Sequence, residues 1–421
     1  MSDLQQRTEP APGLPMDQLP RMAPGAGWTF LQGVRVLDLT TSVAGPFATQ
    51  LLADFGADVI KVERRDGGDD SRAWGPPFLG DESLWFVSVN RNKRSIALDI
   101  ARPEGAAVLR DLIARCDVMV LNQPPRVTKK LGIDADTVHR ICPDIVYVSI
   151  TGYGLDGARS DWPGYDLIAE GYSGIMDMTG EPDGEPQKIG APAADMLAGQ
   201  DAAMATMAAL FERSRSGGGR VIDVALVDSM TRFLACRIVP YLGSGEPLRR
   251  DGGRESVIAV YQPFDTADAP ITLGLGNDNL WRRFWTAVGR PERAEDPSTA
   301  TNKARRARRA EIVAEVQVLL KSKPRAHWLK LLGDARVPCG PINRLDETSA
   351  DAELVARGLF YRLDDGERSL PQVGIGMRID GNAATARRLP PRLGEHSEDI
   401  LRELLDYNDD RIEELRRQEV I

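Results

Sequence analysis

Few side chains in this sequence are spaced to do chemistry, and the most suggestive of them is a carboxylate. The three histidines, His139, His327 and His396, lie far apart, and the four cysteines, Cys116, Cys142, Cys236 and Cys339, include no C-x-x-C pair. A zinc site therefore has little support, no metal is expected, and a chain of 421 residues needs no disulfide framework. Asp195 follows Pro192 at the head of an alanine- and methionine-rich stretch, AADMLAGQDAAMATMAALFERSR. A helix N-terminus favours an anion. An aspartate placed there either caps the helix or supplies the ionised carboxylate that nucleophilic attack requires. On pattern alone, capping is the simpler reading.

The elements that must position such a group are clearest over residues 34–63, VRVLDLTTSVAGPFATQLLADFGADVIKVE. Val34, Val36 and Leu37 begin a strand that stops at Thr40-Thr41-Ser42. Gly45-Pro46 opens a helix, because proline is tolerated in a first turn where its missing N–H would be unpaired anyway. Phe47, Leu51, Leu52 and Phe55 recur at helical spacing, Gly56 ends the helix, and DVIKVE is a second strand. This βαβ unit calls for a parallel sheet. Its loop, TTSVAGP, holds one glycine where a dinucleotide fingerprint needs GxGxxG, which disfavours a nicotinamide or flavin site.

Alternation continues. Strands are expected over residues 95–100, 117–122 and 145–151, with a helix in RPEGAAVLRDLIARC, so residues 31–151 read as a doubly wound α/β region. Residues 165–178 and 193–215 look helical, the second a buried helix of small residues. From about Ser244 to Leu370 the chain reads as a separate unit of short strands and amphipathic helices, including DNLWRRFWTAVG and PRAHWLKLLGDA. Residues 1–28 are polar and Pro-rich and read as a disordered tail. A formal net charge of −9 argues against a nucleic-acid or anionic-membrane partner. The basic run Lys303 to Arg309 then reads as a solvated helix face. No apolar run reaches membrane-spanning length, and the cytoplasm is the simplest compartment.

Several blocks, in order, carry a resemblance. LDLTTSVAGP with GADVIKVERRDGGD, NRNKRSIALDI, GYDLIAEGYSGIMDMTGEPDGEP with GAPAADMLAG, VPCGPIN and PPRLGEHSEDIL all match the class III CoA-transferases, the family of formyl-CoA transferase and crotonobetainyl-CoA:carnitine CoA-transferase. The match spans about Leu31 to Ile421. The resemblance implies a Rossmann-like large domain, a smaller α+β domain, and an interlocked homodimer. The expected divisions are a tail over 1–28, a large CoA-binding domain over 29–243, a small domain over 244–370, and a C-terminal segment, 371–421, returning to the large domain. It implies coenzyme A or acyl-CoA as substrate, with an acyl-CoA donor and a carboxylic acid acceptor as partners, and no tightly bound cofactor.

The resemblance also assigns residues. Asp195 takes the place of the family's nucleophile, which is acylated as CoA passes between two acids. Val43 and Ala44 fall beside the ligand, and Arg64 matches an arginine near the adenosine phosphate, where a guanidinium offers paired donors. Leu98, Asp99 and Ile100 match the nucleotide-lining segment. Asn122 and Gln123 fall at a strand end, the edge where open α/β sheets bind ligands. Lys130 stands where the family has an arginine, and Pro163, Gly164, Tyr165 and Asp166 match a segment near the pantetheine arm. Two departures stand out. The chain has Gly252-Gly253 and, separately, Gly274 and Gly276, but no run of four glycines. Val43 replaces the glutamine of formyl-CoA transferase, which makes formyl or oxalyl specificity less favoured.

Two other readings compete. An α-methylacyl-CoA racemase has the same fold but needs two bases, typically histidine and aspartate, in a GHDINY motif. Here tyrosine replaces that histidine, and none occurs between His139 and His327. A non-catalytic CoA-binding protein would have no use for Asp195. The histidine of GEH, His396, reads as a structural turn before the last helices.

Overall fold

The computed structural model describes residues 14–421, which divide into two compact units. Of the described residues, the first comprises those up to Ile175, Ile189–Val239 and Ser349–Ile421, and the second Met176–Lys188 and Pro240–Thr348.

The first unit is built on a parallel six-stranded sheet. Its strands are β1 (Arg35–Leu39), β2 (Asp58–Glu63), β3 (Lys93–Ala97), β4 (Val118–Leu121), β5 (Val146–Thr151) and β6 (Arg220–Ala225), in the order β3-β2-β1-β4-β5-β6. The chain starts in the middle, works outward to one edge, then crosses to the other. Each crossover carries helix, because parallel neighbours cannot be joined by a tight turn. Both sheet faces are covered, so the strands are apolar on both sides. Val36, Val59, Val118 and Val148 share one face with helices α1 (Ala44–Asp54) and the long Ala193–Ser216 helix. Leu37, Ile60, Met119 and Tyr147 face the other, against α2 (Pro103–Ile113) and two C-terminal helices, Ser397–Glu403 and Asp409–Arg417.

Local chemistry sets the ends of α1. It starts at Ala44, one residue before the expected Gly45-Pro46, and Pro46 takes its third position. Gly56 closes the turn after Phe55 at φ +111°, a conformation that disfavours a side chain, and the Trp28 carbonyl lies 2.5 Å from where its Cβ would stand. The strand expected over 95–100 starts at Lys93 and ends at Ala97. His396 fills the turn before Ser397–Glu403, and Ser95 donates its N–H to His396 Nδ1 at 3.3 Å.

The tail expectation divides. Residues 1–13 lie outside the described residues. From Leu14 on, the chain carries a 3-10 turn at Pro15–Gln18 and a short strand, Arg21–Met22. That strand pairs in parallel with Phe360–Asp364, with Arg362 N–H on the Pro20 carbonyl, so backbone pairing orders a polar segment that has little apolar side chain to bury.

The second unit has its own core. Strands Tyr261–Phe264, Ile271–Gly274 and Cys339–Pro341 form an antiparallel sheet, and helices Asp278–Ala287, Arg309–Leu320 and Arg325–Asp334 bury Trp281, Phe284, Trp285, Ile312, Val316 and Trp328. The expected spans, 29–243 and 244–370, differ from the two units: the second starts at Pro240, takes in Met176–Lys188 from the expected large domain, and stops at Thr348. Residues 349–370 group with the first unit, where Phe360–Asp364 pairs with Ser369–Val373 on one side and with the strand at Arg21–Met22 on the other. The basic run is not simply a solvated face. Arg305 is buried, ion-paired to Asp278 at 2.6 Å, bonded to the carbonyls of Thr299 and Ala300, and stacked on Trp281.

Candidate active site

In an open parallel sheet, the loops leaving the carboxyl ends of the strands form the natural ligand edge. Two cavities of the first unit open there, and Thr41 lines both. The larger, about 640 Å³, is walled by the ends of β1, β2 and β3: Leu39 and Thr40, then Glu63 to Asp66 with Gly68 and Asp69, then Leu98 to Arg102. Arg64, Arg65 and Arg102 form a basic rim, and Gln123 and Glu419 complete the wall. The smaller, about 210 Å³, lies between the turn Thr41 to Ala44, the end of β5 at Thr151, the Trp162 to Tyr165 segment, and Asp195.

Asp195 is the third residue of the Ala193–Ser216 helix, whose N-cap is Pro192. Proline at the cap brings no side-chain acceptor for the first-turn N–H groups. Asp166 supplies one from another element: its Oδ1 accepts from the N–H of Ala194 at 2.8 Å and of Asp195 at 3.3 Å. The Asp195 carboxylate is therefore not the cap, and it has no hydrogen-bond or ion-pair partner among the described residues. Burial, then the neighbouring negative charge of Asp166, pushes it up to about 7. Helix position alone favours an ionised Asp195; desolvation in this cavity outweighs the dipole.

Small residues bring Asp195 to its neighbours. Ala198, Gly199, Ala202 and Ala203 lie on the buried stripe that follows it, at i+3, i+4 and one turn further. A Cβ at Gly199 would stand 2.6 Å from the Ala44 carbonyl, so the helix can meet the start of α1 only with glycine there. Across the cavity Gly152 and Gly164 cross in the same way, each Cα within 2.8 Å of the other's would-be Cβ.

The turn before α1 is held at Thr40, Thr41 and Ser42. Lys61 Nζ donates to the Thr40 carbonyl at 2.8 Å. Asn122 accepts from Thr41 N–H at 3.1 Å and donates back to its carbonyl at 2.8 Å. Ser42, at φ +72°, donates its N–H to Asp69 at 2.9 Å. A non-glycine residue in the left-handed region costs of order 1 kcal/mol or more and persists only where its surroundings enforce it. The enforcement comes from a buried charge cluster beneath the turn. Lys61 pairs with Asp69 at 2.8 Å and Lys93 with Asp38 at 3.0 Å, all four side chains essentially inaccessible. Glu63 takes Arg72 and Ser95.

The sequence profile of CoA-transferase family III matches residues 31–397. The chain belongs to that family. It is a CoA-transferase, in agreement with the resemblance read from the sequence blocks. Among its relatives, the succinyl-CoA:glutarate CoA-transferase of Mus musculus is 39% identical over 388 residues, spanning 91% of this chain and 88% of its own. The succinate–glutarate CoA-transferase of Agrobacterium fabrum is 39% identical over 381 residues, spanning 89% of this chain and 95% of its own. Among solved structures, a CaiB/BaiF family protein from Brucella suis superposes with a TM-score of 0.79 at 38% identity, covering 89% of this chain and 99% of that one.

The residues assigned through the family resemblance fall into three groups. Val43, Ala44, Asn122, Pro163, Gly164, Tyr165 and Asp195 line the smaller cavity. Arg64, Leu98, Asp99, Ile100 and Gln123 line the larger. Lys130 and Asp166 line neither: Lys130 is exposed on the Pro125–Leu131 helix, and Asp166 caps the helix that carries Asp195. Two of these side chains already have partners within the protein. The Asn122 amide is spent on the Thr41 backbone. Arg64 is engaged with the Gly68 carbonyl and the Asp70 carboxylate. The sequence reading passed over Arg65, Arg102 and Asp69. Arg102 carried a usable signal, a basic residue directly before Pro103 at a helix start beyond a strand end. Asp69 had none, because its partners Ser42 and Lys61 are remote in sequence.

Proposed function

We propose that this CoA-transferase carries CoA from an acyl-CoA to a free carboxylic acid by way of acylated Asp195. The observation that supports this most is the setting of Asp195: a carboxylate without a cation or donor among the described residues, facing a cavity that shares the wall residue Thr41 with a larger, arginine-rimmed one. The larger cavity takes the nucleotide, with Arg64, Arg65 and Arg102 offered to its phosphates. Leu98, Asp99, Ile100 and Gln123 line the base and ribose. The pantetheine arm passes Thr41 to the smaller cavity, between Val43-Ala44 and Pro163-Gly164-Tyr165.

The Asp195 carboxylate attacks the thioester carbonyl, and CoA leaves as thiolate, giving a mixed anhydride. The thiolate then attacks the aspartyl carbonyl of that anhydride and expels the donor acid, leaving an aspartyl-CoA thioester. The acceptor carboxylate attacks this thioester, forming a second anhydride. Thiolate attack on the acceptor's carbonyl carbon yields the new acyl-CoA and restores Asp195. Backbone N–H groups at the start of α1, which lines the same cavity as Asp195, are the donors assigned here to the oxyanions. An unpaired nucleophile suits this cycle, since any fixed cation would have to be released at each acylation.

The catalytic body is a Rossmann-like domain, working in the cytoplasm as an interlocked homodimer with no tightly bound cofactor. Relatives that act on succinyl-CoA and glutarate make C4 and C5 dicarboxylic acids the first acids to assay. The test is a panel of acids and acyl-CoAs run with wild type and Asp195→Ala. The variant is expected to lose exchange while binding CoA within several-fold. Exchange at the wild-type rate in the variant would end the proposal.

A further inference from the structure

The loop from Arg64 to Ser71 touches both cavities. Its outer end is Arg64, on the larger cavity, bonded to the Gly68 carbonyl at 3.0 and 3.1 Å and paired with Asp70. Both partners of that pair are more than half exposed, so it is a weak tether. Asp70 itself lines the smaller cavity. The tip is Gly67-Gly68, at φ +80° and +67°, where two successive residues have the widest backbone freedom. The inner end is Asp69, fixed in the interior. Its Oδ2 meets Lys61, and its Oδ1 gathers the N–H and hydroxyl of Ser71 and the N–H of Ser42. Ser42 is the strained residue directly before Val43 and Ala44. One short segment thus has a loosely tethered handle in one cavity, a flexible tip, and a rigid grip on the turn that shapes the other.

We infer that this loop couples the two cavities, with Asp69 as a positioning residue. Occupation of the larger cavity by the nucleotide of CoA fixes the Arg64 end, and Asp69 passes that constraint to the Ser42–Ala44 turn beside Asp195. A phosphate on Arg64 replaces an exposed pair by charge-assisted bonds. The loop then loses the freedom that its glycine tip allows, and the Ser42 N–H is held in one place. Binding energy from a part of the substrate remote from the reacting carbonyl is thereby used at that carbonyl, which raises kcat rather than affinity alone. This inference rests on the assignment of nucleotide and thioester to the two cavities.

The experiment compares one acyl group carried on CoA and on pantetheine, with and without adenosine 3′,5′-bisphosphate added in trans. In wild type, kcat for the CoA thioester should exceed that for the pantetheine thioester by about 10- to 100-fold, the usual range of coupling between sites. The added nucleotide should restore part of the difference. In Asp69→Asn the ratio should fall toward one, and the added nucleotide should do nothing. Because that variant faces an amide toward buried Lys61 and could fail to fold, Ser71→Ala is measured alongside it. Ser71→Ala removes one of the donors that aim Asp69, lines neither cavity, and should lower the ratio in the same direction. Equal kcat for the two thioesters in wild type, or a ratio unchanged in both variants, would overturn the inference. Trapping of acylated Asp195 from acyl-CoA is scored separately, so failure of the coupling leaves the transfer mechanism standing.

Discussion

Asp195 titrates near neutrality because burial and Asp166 both disfavour its charge. The deprotonated form is the nucleophile, so kcat/KM should rise with pH and level off above a midpoint near 7. Below that midpoint the rate should fall about tenfold per pH unit, as expected for a single ionisation. Asp166→Asn keeps an oxygen acceptor for the Ala194 and Asp195 N–H groups but removes the charge, so the midpoint should move to lower pH. A midpoint unmoved in this variant would contradict the contribution assigned to Asp166 and leave burial as the cause. Stability follows the same linkage with a definite sign. The folded carboxyl titrates above its unfolded value, so its unfavourable contribution grows as pH rises from about 4 to 7. Asp195→Asn should therefore melt higher than wild type at pH 8 and by a smaller margin at pH 5, as read by thermal denaturation. At this scale the sequence placed Asp195 at the head of its helix. It did not show the elevated pKa, because the causes are a cavity and an aspartate brought in from the start of another helix. Capping, the simpler reading on pattern, belongs instead to Asp166.

The element that decides the geometry is the long helix Ala193–Ser216, laid against α1 along a stripe of alanine and glycine. Gly199→Ala would place a Cβ 2.6 Å from the Ala44 carbonyl, against backbone that cannot rotate away. The substitution should cost about 1–3 kcal/mol, the usual range for overpacking, and should lower kcat more than it raises KM. Denaturant titration and steady-state kinetics on the same preparation separate the two effects. A fully active, fully stable variant would show that the close approach does not matter. The strands and helices of the parallel sheet were legible because buried parallel strands read as continuous Val, Ile and Leu runs, and α1 because its apolar spacing is regular. The order of strands and the crossing of Gly152 with Gly164 were not, since both depend on contacts between segments far apart in sequence. The Arg21–Met22 pairing was hidden for a related reason: it rests on backbone groups, which every sequence has.

Across the first unit as a whole, the site sits on buried charges rather than on apolar packing alone. Burial works against the ionised forms of Asp38, Glu63 and Asp69, but Lys61, Lys93 and Arg72 outweigh it and hold all three below the usual carboxylate range. Groups depressed in this way stabilise the fold above their unfolded values and lose that contribution as pH falls through the folded ones. Acid unfolding should therefore steepen below about pH 4, where unfolded carboxyl groups begin to protonate. Lys93→Met, which strands Asp38 without its ion pair, should destabilise by about 3–5 kcal/mol, the range for removing one partner of a buried pair. Full stability in that variant would mean the pair contributes little. The division into two units was partly legible. Aromatic-rich helices announced a separate core, but the return of residues 349–370 to the first unit depends on strand pairing that no local pattern marks. The central claim concerns one bond, between the carboxyl of Asp195 and an acyl group or CoA. Rapid quench during steady exchange, hydroxylamine treatment and mass spectrometry of the peptide containing Asp195 test it directly. The account predicts a hydroxamate at that side chain, dependent on acyl-CoA, and an unmodified peptide recovered while exchange is fast would contradict it.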